Sequence, residues 1–216
     1  MINKNIIWDW NGTLVDDAWI FVDIMNSFLK KNNLPVISLE DYQQNFCFPI
    51  QNYWRSLGFK FTPKEFNKLN SKFISEYKKN MFLPKIHGGV FSLLKKIKNK
   101  NIKQYVLSAS EDSLLKKSVA FYKLTNLFED VCGVDNLNAK GKKELGKFLF
   151  KKYHLKPGET LIIGDTEYDY EVAKMLNCSV VLISHGHINH ERLKKICSNV
   201  VVSVSELNDF LKIESF

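Results

Sequence analysis

Short apolar runs that end at a small or acidic residue recur along the chain. They are Ile6-Ile7-Trp8 into Asp9, Tyr105-Val106-Leu107 into Ser108, Val131-Cys132 into Gly133, Leu161-Ile162-Ile163 into Gly164-Asp165, and Val180-Val181-Leu182-Ile183 into Ser184. Val200-Val201-Val202 adds a sixth. Each is too short for a helix and apolar at consecutive positions, as expected of strands covered on both faces of a parallel sheet. Between them, apolar residues recur at helical spacing over 88–99, 111–123, 141–152, 168–177, 189–197 and 205–213. Gly88-Gly89 precede the first of these, and Ser205 is the expected N-cap of the last. The alternation predicts an α/β fold, a doubly wound parallel sheet of Rossmann-like type. In such sheets ligands collect at the carboxyl ends of the strands, where Asp9, Ser108 and Asp165 all fall.

The rhythm breaks once. From Asp16 to about Pro84 no convincing strand occurs, and helical patterns cover 18–31, 39–46, 49–56 and 63–79. Asp16 or Asp17 is the expected cap of the first, Ser38 with Asp41 resembles a capping box, and Pro63 stands near the start of the last. An all-helical insert of this length is hard to explain as a crossover between strands. It reads as an α-helical cap domain over residues 17–84, hinged near 14–17 and 82–87, with 1–16 and 85–216 forming the core. Trp19, Phe46, Phe48, Tyr53 and Trp54 are the expected cap interior.

Composition narrows the class. Of 216 residues, 45% are hydrophobic and 25% charged, which excludes wholesale disorder. No apolar run approaches the roughly 20 residues that span a bilayer, and the N-terminus lacks a secretory pattern. A cytoplasmic protein with no membrane partner is expected. Cys47, Cys132, Cys178 and Cys197 form no CxxC pair, which argues for reduced thiols rather than a zinc site or disulfide framework. The net charge of +8 is uneven: residues 86–156 carry 15 basic and 6 acidic residues, residues 157–216 carry 5 and 9. A basic middle attracts anions. Arg55 and Arg192 are the only arginines, however, and base readout leans on bidentate arginine. The lysine runs read as solvated helix faces, so a small anionic metabolite is the expected partner rather than nucleic acid. A monomer or weak homodimer is expected.

Four elements then bear on chemistry, in a fixed order: Asp9-Trp10-Asn11-Gly12-Thr13-Leu14 leaving the first strand, Ser108 closing the second, Lys142 opening a helix, and Gly164-Asp165-Thr166-Glu167-Tyr168-Asp169 after another buried strand. Taken singly, a strand-end aspartate is usually a turn or cap residue, and a lone lysine usually solvated. Their joint occurrence at strand ends resembles the haloacid dehalogenase-like hydrolase superfamily, whose motif order the chain follows from residue 6 to about 183. The helical insert resembles that superfamily's cap. The Asp9–Leu14 run, Leu107-Ser108-Ala109, and Gly186-His187 followed by Arg192-Leu193 resemble a bacterial subgroup labelled phosphoglycolate phosphatase-like.

The resemblance implies a Mg²⁺-dependent phosphohydrolase acting on a small phosphorylated metabolite. Asp9 would attack phosphorus and form an aspartyl-phosphate. Asp9, Asp165 and the backbone carbonyl of Asn11 would hold the cation, with Asp169 one helical turn beyond Asp165 supporting it. Ser108 and Lys142 would bind the phosphoryl oxygens, with Gly12, Thr13 and Ala109 shaping the same site. Lys140 is the alternative to Lys142. Arg55, the cap's one arginine, is a candidate to hold a substrate carboxylate, though a solvated position suits an arginine as well. His185, His187 and His190 follow the fifth strand, in a loop expected to lie away from the acidic motif.

Asn11 departs from the pattern. Most phosphatases of the superfamily carry there an aspartate that protonates the leaving group and activates water, worth about 10²–10⁴-fold. An amide does neither. The residue is therefore compatible with a slow phosphatase that favours good leaving groups, or with a phospholigand-binding protein without turnover. Dehalogenases of the superfamily have a tyrosine at this position. Phosphonate hydrolases would need a cap lysine, for which Lys30 and Lys31 are the available positions. A receiver-type module combines similar residues, but the insert argues against it.

Overall fold

The computed structural model describes residues 4–134 and 141–212. Six parallel strands form one sheet in the order β5-β4-β1-β6-β7-β8, where β1 is Asn5–Trp8, β4 Lys103–Glu111, β5 Asp130–Val134, β6 Thr160–Gly164, β7 Ser179–Ile183 and β8 Val200–Val201. All six predicted apolar runs supply a strand of this sheet. The chain starts at β1, builds outward to β5 on one side, then returns to β6 on the other. Strand order therefore reverses at β1, and a crevice opens beyond its carboxyl end.

Alternation along each strand feeds two separate cores. Ile7, Tyr105, Leu107, Ile162, Val180 and Leu182 face one side, against α7 (Lys142–Tyr153), α8 (Glu167–Met175) and α9 (His190–Ile196). Ile6, Trp8, Val106, Leu161, Ile163 and Val181 face the other, against α5 (Val90–Asn99), α6 (Asp112–Phe121) and α10 (Val204–Phe210). The consecutive apolar residues within each strand are the consequence of covering both faces. The caps follow local chemistry with two corrections. Ser203, not Ser205, caps α10, its side chain accepting from the Glu206 amide. Asp17 stands at the N-cap of α1 without capping it, its carboxylate being engaged elsewhere.

The insert is α1 (Ala18–Lys31), α2 (Leu39–Asn45), α3 (Ile50–Ser56) and α4 (Pro63–Asn80). Ser38–Asp41 and Thr62–Glu65 close reciprocal capping boxes at α2 and α4, with Pro63 in the first turn of α4. Phe28, Phe46, Tyr53, Trp54 and Phe66 fill its interior, continuous with the first core. Trp19 and Phe48 depart from expectation. Trp19 is exposed and donates to the Asp16 carbonyl, while Phe48 is exposed and lies against Tyr168 of the core. A two-residue antiparallel ribbon, β2 (Val15–Asp16) against β3 (Lys85–Ile86), joins the insert's entry to its exit. It was too short to leave a periodic signal. Among the described residues, no helix is long and apolar enough to cross a membrane.

Candidate active site

Asp9 follows β1 directly, its amide bonded to the Ile163 carbonyl of β6, so its carboxylate emerges where the strand order reverses. Lys142, in the first turn of α7, reaches it from the neighbouring layer. Its Nζ lies 2.6 Å from Asp9 Oδ1 and 2.5 Å from Asp169 Oδ1, and all three residues are buried. The other oxygen of Asp169 accepts from the Thr166 amide and hydroxyl, at 3.0 and 2.7 Å. One carboxylate thus caps α8 and anchors the lysine. Asp165 is oriented by Thr13 Oγ1 at 2.8 Å and by the His187 amide at 2.7 Å. Lys140 lies outside the described residues.

Charge is unevenly balanced here. Asp9, Asp165 and Asp169 bring oxygen atoms within 4.8 Å of one another around a single ammonium. Burial, with Asp169 adding and Lys142 opposing, pushes Asp9 up to about 7. Burial likewise raises Asp165 to about 6, against the opposing pull of His187. Burial works against the Lys142 ammonium, but Asp169 and then Asp9 outweigh it and hold its pKa above the ordinary lysine value. Three hard oxygen donors with negative charge left over suit Mg²⁺, which binds few carboxylates and keeps sites for water and phosphate. Asp9 and Asp165 would hold it, with the Asn11 carbonyl as the resemblance implies and Asp169 beside them.

The expected phosphate-binding groups separate into two sets. Ser108 and Ala109 line the cleft above Asp9, where β4 shifts register against β5 between Leu107 and Glu111. Gly12 and Thr13 are turned away from it. The Thr13 hydroxyl is committed to Asp165, and Gly12, at φ +71°, gives its amide to Asp17 Oδ1 at 2.8 Å. A Cβ at Gly12 would stand 2.2 Å from Asp165 Oδ2, so only glycine fits. Arg55 is not in the cleft either: it is exposed and packs over Phe61, its guanidinium carbon 5.1 Å from the ring centre. Lys30 and Lys31 are exposed at the far end of α1, also outside the cleft lining, which leaves the phosphonate alternative without its lysine.

Asn11 is held from all sides. Its Oδ1 accepts from Ser110 Oγ at 2.8 Å, and its Nδ2 donates to Asp17 Oδ2 and to the Tyr77 hydroxyl. Asp17, fully buried, also accepts a hydrogen bond from the Tyr77 hydroxyl and faces His187 Nε2 at 3.5 Å. Burial opposes ionisation of Asp17, but His187, Asn11 and Tyr77 hold its pKa below the usual carboxylate value. Burial also opposes the His187 cation, and Asp17 followed by Asp165 raise it to about 9.

His187 corrects the sequence reading of its loop. That loop folds back onto the acidic motif, where the His187 amide holds Asp165 and its ring lines the cleft. The ring meets Tyr42 of the insert at 2.9 Å. Gly186, which the sequence did not mark as a constraint, permits this: a Cβ there would lie 2.1 Å from Asp165 Oδ2. Arg192 extends the contact, donating to the Phe46 carbonyl at 2.7 Å and to Glu167 at 2.9 Å, so the insert is tied down over the strand ends.

Among curated proteins, none matches the sequence closely enough to count as a relative. Solved structures share the fold. A protein from Clostridium acetobutylicum described as a predicted phosphatase superimposes with a TM-score of 0.83 at 21% identity, over 98% of this chain and 99% of that one. A predicted phosphoglycolate phosphatase from Haemophilus somnus 129pt gives 0.78 at 21% identity over 97% and 98%. Protein Tyrosine Kinase A of Mycobacterium tuberculosis gives 0.79 at 16% identity over 97% and 98%. Such different names on one scaffold show that the fold does not dictate the reaction. The sequence itself is more specific, since the family profile described as haloacid dehalogenase-like hydrolase runs from residue 6 to residue 183, through each of the four motifs around Asp9. The chain belongs to the haloacid dehalogenase-like hydrolase family.

Proposed function

We propose that the protein is a Mg²⁺-dependent phosphohydrolase that acts on a small phosphorylated metabolite through an aspartyl-phosphate on Asp9. The observation that carries this reading is Asp9 at the head of β1, 2.6 Å from the Lys142 ammonium and grouped with Asp165 and Asp169. Asp9 is the one carboxylate of the three that also lines the cleft. An ammonium has three donors, and Lys142 spends two on Asp9 and Asp169, leaving one for a phosphoryl oxygen. Ser108 stands beside the same volume and offers a second donor. Together they would stabilise the equatorial charge of the phosphoryl group in flight. A bound Mg²⁺ would supply charge neutralisation at the phosphate and favour the ionised forms of Asp9 and Asp165. The insert would cover the cleft and exclude bulk water.

Asn11 enters as a positioning residue. Its amide presents no acidic proton, so leaving groups that depart as stable anions would react fastest. The test is phosphate release from acetyl phosphate, an aryl phosphate and several alkyl phosphates, with and without Mg²⁺, alongside Asp9→Asn. Release that needs both the metal and Asp9 supports the reading. Absence of release from every compound would favour a phospholigand-binding protein without turnover.

A further inference from the structure

The cleft above Asp9 has a volume of about 530 Å³, within the usual range for small-molecule sites. Away from Asp9 its walls are mainly Phe21, Phe46, Phe48, Phe73, Ile74 and Tyr168. Asn70 adds a neutral amide to these walls, and several other polar groups in the upper part are already engaged. Ser110 and Tyr77 are bonded to Asn11 and Asp17, and Glu111 pairs with Lys78 at 2.9 Å. Among the described lining residues, the cationic side chains are Lys142 and His187, and both already face carboxylates. A second anion on a substrate would meet aromatic rings and a Glu111 carboxylate already paired with Lys78, with no unpaired cation among the described lining residues to offset its desolvation. An aromatic or other apolar group would meet complementary walls; Phe48 and Tyr168, with ring centres 5.3 Å apart, flank this volume from insert and core.

Resting on the phosphohydrolase reading above, we infer that the substrate is a phosphate monoester whose leaving group is aromatic or otherwise apolar and carries no charge of its own, and that phosphoglycolate is a poor substrate. The locked amide of Asn11 points the same way independently, because an aryloxide departs without a proton from the enzyme. In the first step an Asp9 oxygen bonds to phosphorus and the phosphorus–oxygen bond to the leaving group breaks. The leaving group carries off the electron pair and takes its proton from water. Water then cleaves the aspartyl-phosphate, returning inorganic phosphate and the Asp9 carboxylate.

The deciding experiment compares 2-phenylethyl phosphate with 2-phosphoglycolate. Both release poor alkyl leaving groups, so their ratio reports the cleft walls rather than leaving-group acidity. Acetyl phosphate, too small to reach those walls, serves as the reference for turnover itself. We expect kcat/KM to favour the phenylethyl ester by about 10-fold or more, the usual reach of apolar discrimination. Ile74→Arg, at an exposed position on the cleft wall, should lower that ratio by about 10-fold by supplying a partner for the carboxylate. A preference for phosphoglycolate, or a ratio untouched by Ile74→Arg, would overturn the inference while Asp9-dependent release from acetyl phosphate keeps the phosphohydrolase standing. No release from any of the three would overturn both.

Discussion

The Tyr77 hydroxyl donates to Asp17 Oδ2 at 2.8 Å, and both side chains converge on the Asn11 amide. Asp17 stands at the start of α1 and Tyr77 in the last turn of α4, so the two ends of the insert close on one residue of the nucleophile loop. Replacing Asn11 with aspartate would place a second carboxyl against Asp17. Two carboxyls at that distance resist joint ionisation, so the new one would titrate above its ordinary value and carry a proton to the site. Asn11→Asp should speed hydrolysis of alkyl phosphates by about 10–100-fold and of aryl phosphates by less. At neutral pH it should also cost about 1–3 kcal/mol of stability through lost hydrogen bonding. An acid whose folded pKa is raised loses stability as pH climbs above its unfolded value, so that cost should be small near pH 4 and larger by pH 7. Initial rates and urea midpoints across this range check both parts; equal gains for alkyl and aryl esters would remove the acid–base account of Asn11.

Asp9→Asn should reduce phosphate release to background and leave the fold intact. The carboxylate is one of three buried around a single ammonium, so its loss removes repulsion from Asp169 and Asp165 along with its pairing to Lys142. Lys142 keeps Asp169 at 2.5 Å and is not left alone in the interior. A melting temperature within about 5 °C of wild type, with no turnover, is the expected pair of results. Turnover in a folded Asp9→Asn protein would take the nucleophile role from this residue.

What was legible in the sequence was whatever has a period or a fixed local spacing. The strands were visible because both faces of the sheet are covered, which leaves unbroken apolar runs such as Leu161-Ile162-Ile163. Asp9, Lys142, Asp165 and Asp169 were visible as residues attached to the ends of those elements. The Asp17–Tyr77–Asn11 contact was not, because it joins positions 60 residues apart through a helical insert whose packing has no local signature. Arg55 illustrates the converse. It looked informative as the insert's one arginine, yet its place in α3 directs it to Phe61 rather than the cleft. His187 was misplaced for a related reason: nothing local says that a loop after a strand will fold back, and the signal that permits it is a glycine, Gly186, that reads as ordinary punctuation.

Gly186→Ala turns that last point into a measurement. Its Cβ would lie 2.1 Å from Asp165 Oδ2 and 2.6 Å from the Gly12 carbonyl, distances no relaxed structure holds. Relief requires moving the loop, and with it the His187 amide that orients Asp165 at 2.7 Å. Groups that orient a metal-binding carboxylate are typically worth about 10–100-fold in metal affinity or activity. Gly186→Ala should therefore raise the Mg²⁺ concentration needed for half-maximal activity by that order. The same substitution at Gly158, where a Cβ meets nothing within 4 Å, should leave it unchanged. Identical behaviour of the two variants would separate the loop from the acidic cluster.

The pH dependence of Mg²⁺ binding follows from the same crowding. Burial together with neighbouring carboxylates raises Asp9 to about 7 and Asp165 to about 6, against an ordinary 3.8. Both groups hold protons more tightly folded than unfolded, so in the metal-free chain they oppose folding increasingly as pH rises from about 4 to about 7. A divalent cation acts in the opposite direction because it binds the ionised forms and must displace those protons. The increase in Tm produced by Mg²⁺ should thus be small at about pH 5, grow through about pH 7, and level off above it. Asp165→Asn, which removes one of the two titrating ligands, should weaken the shift and flatten its pH profile. Thermal melts with and without Mg²⁺ at a series of pH values provide the check. A Tm increase of equal size at about pH 5 and about pH 7.5 would mean that the cation binds without displacing protons from Asp9 and Asp165, and so binds elsewhere.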